Sequence, residues 1–250
     1  MRHDTKASAR DRSRRAPAAA RKPVAGVDAV LASGRAGVQS RVEDAALVSR
    51  RRSQIVAAAI ELVGRLGYHA TTVRAIAERA GVSTGLVYQY FGDKEDVLFL
   101  AILTVLESYR ERIPPPAADG ADALRGVRAA VHAYCRVIDA NVDATVLAYR
   151  ETKSLRKSRR AAIKRMESET NALLAAHVDA CVAAGVIAPV DVEVLTYQIV
   201  MFAHAWALKA WHFRGRMTVA RYADRNLDVL MQPLLTARGR RLSRPSSARR

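Results

Sequence analysis

Residues 72–94, Thr-Val-Arg-Ala-Ile-Ala-Glu-Arg-Ala-Gly-Val-Ser-Thr-Gly-Leu-Val-Tyr-Gln-Tyr-Phe-Gly-Asp-Lys, carry two short helical patterns joined by a glycine turn. So tight a junction leaves few angles at which the two helices can pack. Val73, Ile76, Ala77 and Ala80 fall on one helical face, and Gly81 then supplies a residue that reaches positive φ without a Cβ clash. Val82 closes the corner. Ser83 is placed to cap a second helix whose Leu86, Val87 and Phe91 can face the first, with Tyr88, Gln89 and Tyr90 between or beside them. Outer side chains of such a helix fit a major groove. The pattern is a helix-turn-helix and points to binding of double-stranded DNA.

Upstream, Ile55, Ala59, Leu62, Val63 and Leu66 share the face of a preceding helix. Gly67-Tyr68-His69-Ala70-Thr71-Thr72-Val73, Ile76-Ala77, Gly81-Val82-Ser83, Tyr88-Gln89-Tyr90-Phe91 and Lys94-Glu95 follow in order. In residues and spacing, the stretch from about Arg51 to about Leu98 resembles the TetR family of bacterial transcriptional regulators. The resemblance implies that Thr84, Gly85, Tyr88, Gln89 and Tyr90 meet the groove and adjoining phosphates, and that Arg52, Thr72 and Lys94 meet the DNA backbone. Gln89 is the leading base reader, because its amide can pair bidentately with adenine. Local chemistry agrees: Gly67 suits the C′ position after Leu66, and Asp93 suits the N-cap of a helix whose first turn holds Glu95 and Asp96 at the positive end of its dipole.

A formal net charge of +17 over 250 residues suits nucleic-acid binding, but its distribution changes its meaning. Residues 1–50 hold 11 Lys/Arg against 5 acids, and residues 237–250 hold 6 Arg and no acid. Arg150, Lys153, Arg156, Lys157, Arg159, Arg160, Lys164 and Arg165 stand against Glu151 alone within residues 150–165, so the remainder sums to −2. The helix-turn-helix is not itself strongly basic. Basic ends would add sequence-independent, salt-sensitive attraction to phosphates.

After Lys94 the periodicity predicts helix throughout. Val97, Leu98, Ala101, Ile102 and Val105 form one stripe that stops at Ile113-Pro114-Pro115-Pro116, and Leu124, Val127, Val131, Tyr134, Cys135 and Ile138 form another. A short helix is expected over 141–152, then a long one marked by Ile163, Met166, Leu173, Leu174, His177 and Cys181 that breaks near Gly185. Two more are expected over roughly 190–213 and 218–236. The fold class is all-α: a disordered basic extension over 1–46, a three-helix DNA-binding domain over 47–95, a helical ligand-binding and dimerisation domain over 96–236, and a disordered basic tail over 237–250.

A helix apolar on most faces, such as 190–213, has to be covered by other protein. Its own monomer core could do this, or a second copy in a homodimer. The family resemblance implies the dimer, with the last two long helices forming a four-helix interface. Two recognition helices could then sit about 34 Å apart on a pseudo-palindromic operator. The 150–165 cluster reads either as a solvated helix face or as an anion grip. Tyr149-Arg150-Glu151-Thr152-Lys153-Ser154-Leu155 is also similar to a stretch of TetR-type regulators that sense acyl-coenzyme A thioesters. That similarity implies an apolar pocket between the central helices, with Tyr149, Arg150, Lys153, Arg156, Lys157, Arg159 and Arg160 toward the nucleotide phosphates.

Chemistry of other classes lacks a visible site. No glycine-rich phosphate loop, Cys/His metal set or nucleophile-with-base signature appears, so no enzyme activity, metal or cofactor is expected. His204 and His212 are eight residues apart, too far to share a metal on one helix, and His132 and His177 sit in apolar stripes. Cys135 and Cys181 read as small buried hydrophobes, consistent with a reducing cytoplasm and association with the nucleoid. No apolar run approaches the roughly 18 residues of a membrane span, and no secretory h-region follows the basic start. The expected function is a ligand-responsive repressor released from operator DNA by a small-molecule effector. The rivals are a sequence-nonspecific architectural or RNA-binding protein and an enzyme hidden in the helical domain.

Overall fold

The computed structural model describes residues 44–117 and 120–243, and these form helices with one isolated bridge, Ile187 to Leu235, and no strand. Local signals set the first four helices. Helix α1 (Ala45–Leu66) starts where Asp44 accepts from the Leu47 amide and ends at Gly67, φ 80°. Thr72 caps α2 (Val73–Ala80) through the Ala75 amide, and Gly81 closes it in the left-handed region at φ 69°. Ser83 caps α3 (Thr84–Tyr90) through the Leu86 amide. Asp93 and Asp96 form a reciprocal capping box at the start of α4 (Lys94–Arg112).

Helix α4 is buried along nearly its whole length, from Asp96 to Leu106 and again at Ser108 and Tyr109. It packs on α1 at one end and on α5 (Gly120–Ala140), α6 (Val142–Glu151) and α7 (Lys157–Ala183) beyond. One hydrophobic core therefore runs through both predicted domains, and the expected boundary at residue 95 falls inside the first turn of a continuous helix. A cleft between α1, α4 and α6, lined by Ile60, Val63, Tyr68, Leu98, Ala101 and Leu147, marks the seam.

Several sequence expectations are corrected here. The long apolar helix is two: α8 (Val192–Leu208) ends at Lys209 and a single-turn α9 (Ala210–Phe213) follows, because φ −119° and ψ 29° at Lys209 interrupt the ladder. Helix α10 covers Val219–Met231, and Pro233 sits in the one 3₁₀ turn, Gln232–Leu234, that follows it. Leu66, at the end of its core stripe, is half exposed, and Leu173, in the middle of its own, is over one-third exposed. Residues 237–243, expected to be a disordered tail, form α11 (Ala237–Ser243), while residues 1–43 and 244–250 lie outside the described residues.

Helix α11 docks by backbone. The Thr236 amide donates to the Val186 carbonyl at 3.1 Å, the Ala188 amide to the Leu234 carbonyl at 2.8 Å, and the Arg240 guanidinium to the Leu235 carbonyl at 2.5 Å. Gly239 lies so close to Val186 that a Cβ would stand 2.0 Å from its carbonyl oxygen. Gly239→Ala should therefore force α11 away and cost about 1–3 kcal/mol, read as a lower urea midpoint at unchanged slope. An unchanged midpoint would mean that α11 contributes nothing to the fold.

Candidate nucleic-acid interface

The helix-turn-helix is held from behind. Gln54 of α1 donates its amide to the Ala80 carbonyl at 2.6 Å, and Arg52 donates from Nε and Nη2 to the Tyr90 carbonyl at 3.1 and 3.0 Å. These bonds cap the C-terminal ends of α2 and α3, where carbonyls lack partners within the helix. Arg52 is 3% exposed and its guanidinium lies 5.5 Å from the Phe91 ring centre. Burial lowers its pKa, opposed by the charge of Asp96. Two expected DNA contacts are thereby corrected, and the third, half-buried, is tied to its own domain. Arg52 faces inward, Tyr90 is 2% exposed and packs in the core, and the Lys94 ammonium donates to the Tyr68 and Thr71 carbonyls at 2.8 and 2.9 Å over the Tyr68 ring.

The other side chains stand outward. Tyr88 is half exposed, Gln89 and Gly85 are exposed, Thr84 is half-buried at the start of α3, and Thr72 is exposed while its hydroxyl caps α2. The exposed edge of α3 thus lies away from the side on which Val87 and Tyr90 are buried. This is the geometry of a helix presented to a groove.

The basic cluster divides in two. Arg156 meets Asp93 and Glu95, its Nε 2.9 Å from Glu95, while Arg159 meets Asp96 and lies over Phe99. Arg160 donates to the Lys153 and Leu155 carbonyls at 3.1 and 2.9 Å. These three arginines, expected to grip ligand phosphates, are instead engaged by carboxylates and helix-end carbonyls, with Arg159 Nη1 left without a hydrogen bond. Arg150, Lys153 and Lys157 are exposed and form no ion pair among the described residues. Sequence reasoning missed the acceptors themselves, Asp93, Glu95 and Asp96, having read them only as helix-start residues.

Tyr149 belongs to a different cluster. Its hydroxyl is 2.7 Å from His204 Nδ1, and His204 Nε2 is 2.8 Å from the hydroxyl of the buried Tyr134, whose ring lies 4.4 Å from that of Tyr109. Burial pushes the His204 pKa down to about 4, so the ring is neutral and has one donor and one acceptor nitrogen. Tyr134 is buried with His204 as its hydrogen-bond partner, and an unused buried hydroxyl proton is costly. Tyr134 therefore donates to Nε2, and Nδ1–H donates to Tyr149. The Tyr149 hydroxyl in turn donates to Met201 Sδ, 3.9 Å away. His132 pairs instead with Asp224 at 2.8 Å and His177 with the Pro114 carbonyl, and the described residues hold no metal-binding group of His, Cys, Asp and Glu. Burial raises the Cys135 and Cys181 thiols to about 12 and about 11. No described helix is long and apolar enough to cross a membrane.

A capped helix-turn-helix on an all-helical body defines a DNA-binding transcriptional regulator. Family models agree: "Bacterial regulatory proteins, tetR family" matches residues 55–101, and "Tetracyclin repressor-like, C-terminal domain" matches residues 121–234. The HTH-type transcriptional regulator HbdR of Aromatoleum sp. (strain CIB) is 49% identical over 203 residues, covering 81% of this chain and 89% of HbdR. The chain belongs to the TetR family, whose members and relatives are regulators and not enzymes. Two solved structures share the fold. AibR in complex with isovaleryl coenzyme A and operator DNA has TM-score 0.63 at 20% identity, covering 72% of this chain and 98% of that one. FadR of Bacillus subtilis in complex with stearoyl-CoA has TM-score 0.59 at 21% identity, with the same coverage.

Two outcomes test the geometry. Arg52→Met should lower stability by roughly 1.5–3 kcal/mol in urea, by removing a charged donor from a buried carbonyl, and leave the salt slope of DNA binding unchanged. A slope reduced by about 0.9 would return Arg52 to the phosphate surface. The second outcome concerns pH. From the ordinary histidine value of 6.5 down to about 4, the unfolded chain binds a proton at residue 204 that the folded chain refuses. Stability should thus fall as pH falls through that window and level off below it. His204→Gln should flatten this part of the urea-midpoint profile, and a profile unchanged by the substitution would show that His204 titrates normally.

Proposed function

We propose that the chain is a homodimeric repressor that holds a pseudo-palindromic operator through Thr72, Thr84, Gly85, Tyr88 and Gln89, and releases it when an acyl-coenzyme A thioester binds the helical domain. The observation that carries the ligand-responsive reading is the continuity of α4, which begins three residues after the recognition helix and is buried among α5, α6 and α7. A ligand that prefers one arrangement of those helices shifts the population of α4 positions, by no more than its differential affinity.

Dimerisation is supported by an uncovered apolar row. Val194, Tyr197 and Met201 on α8 are 56, 46 and 49% exposed, and Val229 on α10 is 74% exposed. The three α8 residues stand at i, i+3 and i+7, one face of the helix, and a two-fold copy would cover that face with itself. The thioester reading is supported by AibR and FadR, whose structures contain isovaleryl coenzyme A and stearoyl-CoA, and by the three outward cations Arg150, Lys153 and Lys157.

The test is calorimetry with isovaleryl- and stearoyl-coenzyme A against the corresponding free acids, beside binding to a duplex selected by the wild-type protein from a random pool. At least one thioester should bind more tightly than its acid, and the advantage should shrink as salt rises. Arg150→Ala/Lys153→Ala/Lys157→Ala should weaken the thioester at least fivefold and spare the duplex. Gln89→Ala should cost about 1–3 kcal/mol on the duplex and spare the thioester. Acids that match both thioesters would remove this effector class.

A further inference from the structure

We propose that Arg156 and Arg159 are positioning residues: through Asp93, Glu95 and Asp96 they set the recognition helix against the helical domain, so that a displacement of α7 is read out at α3. The connection is short. Asp96 holds Arg159 with one carboxylate oxygen and, with the other, accepts the Gly92 amide at 2.7 Å and the Asp93 amide at 3.2 Å. Gly92 and Asp93 directly follow Phe91, the C-cap of α3. A Cβ at Gly92 would stand 3.0 Å from the same carboxylate oxygen, so the turn fits tightly over it. One carboxylate therefore links the end of the recognition helix to a guanidinium on α7.

A second link lies beside it. Glu95 accepts the Arg156 peptide amide at 2.9 Å as well as its guanidinium, which fastens the start of α7 itself to the first turn of α4. Glu151, at the end of α6, accepts the Tyr68 amide at 3.3 Å and fastens the turn between α1 and α2. Apolar contacts along the seam would tolerate sliding, since they have no preferred direction. Guanidinium–carboxylate pairs are directional and hold one register.

The cluster also contains a route to a second arrangement. Arg159 Nη1 is buried without a hydrogen-bond partner, 3.7 Å from Glu95 Oε1 and 3.9 Å from Asp93 Oδ1. A small movement of α7 would let that nitrogen take either carboxylate, an exchange between discrete pairings and not a graded stretch. Coupling between distant sites is carried by elements with two such arrangements.

The purpose of this device depends on the ligand-responsive reading above, but its test needs no ligand. Full-length protein is titrated with the selected duplex and with a random duplex, and the ratio of the two affinities is followed because it cancels the nonspecific effect of changing a charge. Arg156→Glu and Glu95→Arg should each lower that ratio at least tenfold, and the double exchange should restore it to within threefold of wild type. Melting temperature, followed in parallel, should not track the ratio, since Arg156 is 60% exposed. Should a reversed charge prevent folding, the neutral Arg156→Gln should lower the ratio at least threefold. Single variants within twofold of wild type, or a double exchange no better than the product of the singles, would overturn the proposal. A thioester that fails to bind would end the effector reading and leave this result standing.

Discussion

Three carboxylates, Asp93, Glu95 and Asp96, crowd the first turn of α4, and their satisfaction is the interaction on which the rest of the structure depends. Left alone, such a group repels itself. The helix N-terminus relieves part of this, because Asp93 and Asp96 accept amides in a reciprocal cap and all three sit at the positive end of the dipole. Arg156 and Arg159 relieve the remainder from a helix more than sixty residues later in the chain. The helix start thus draws partners both from its own cap and from the second domain. Where α4 begins, where α3 ends and where α7 lies are three answers to one electrostatic problem.

Much of this was legible in the sequence because it is local. Thr72, Gly81, Ser83 and Asp93 announce caps and turns within three or four residues of the groups they satisfy, and each acts as its chemistry requires. The apolar stripes on α4 and α5 follow from the helical period. The errors at Arg52 and Tyr90 were avoidable on the same principle. Position 52 shares the α1 face with Ile55, Val56 and Ala59, and position 90 shares the α3 face with Val87, all buried. Helical spacing alone therefore places both side chains inward.

The basic cluster failed for a different reason. From Arg150 to Arg165 nothing local tells a cation that faces solvent from one that faces a carboxylate, and the partners lie around residue 95. Pairings of that sequence separation become visible only when the fold brings them together. The chain Tyr134–His204–Tyr149 is hidden in the same way, because it joins three helices and leaves no periodic trace. Arg150, Lys153 and Lys157 stay exposed and without an ion pair among the described residues.

Asp96 serves both the end of the proposed reading unit and the seam, whereas Gly85, Tyr88 and Gln89 stand exposed on α3 and serve neither. The residues proposed to read and those proposed to couple therefore do not overlap: the first stand on the seven-residue α3, the second in the turn and the helix that follow it. On the function proposed above, a change on the outer face would alter which operator is chosen and leave the linkage to the helical body as it is. A change at Gly92 or Asp96 would have the reverse effect, disturbing the linkage for every operator alike. Under that proposal, such a chain would take on a new target without a new response having to be built.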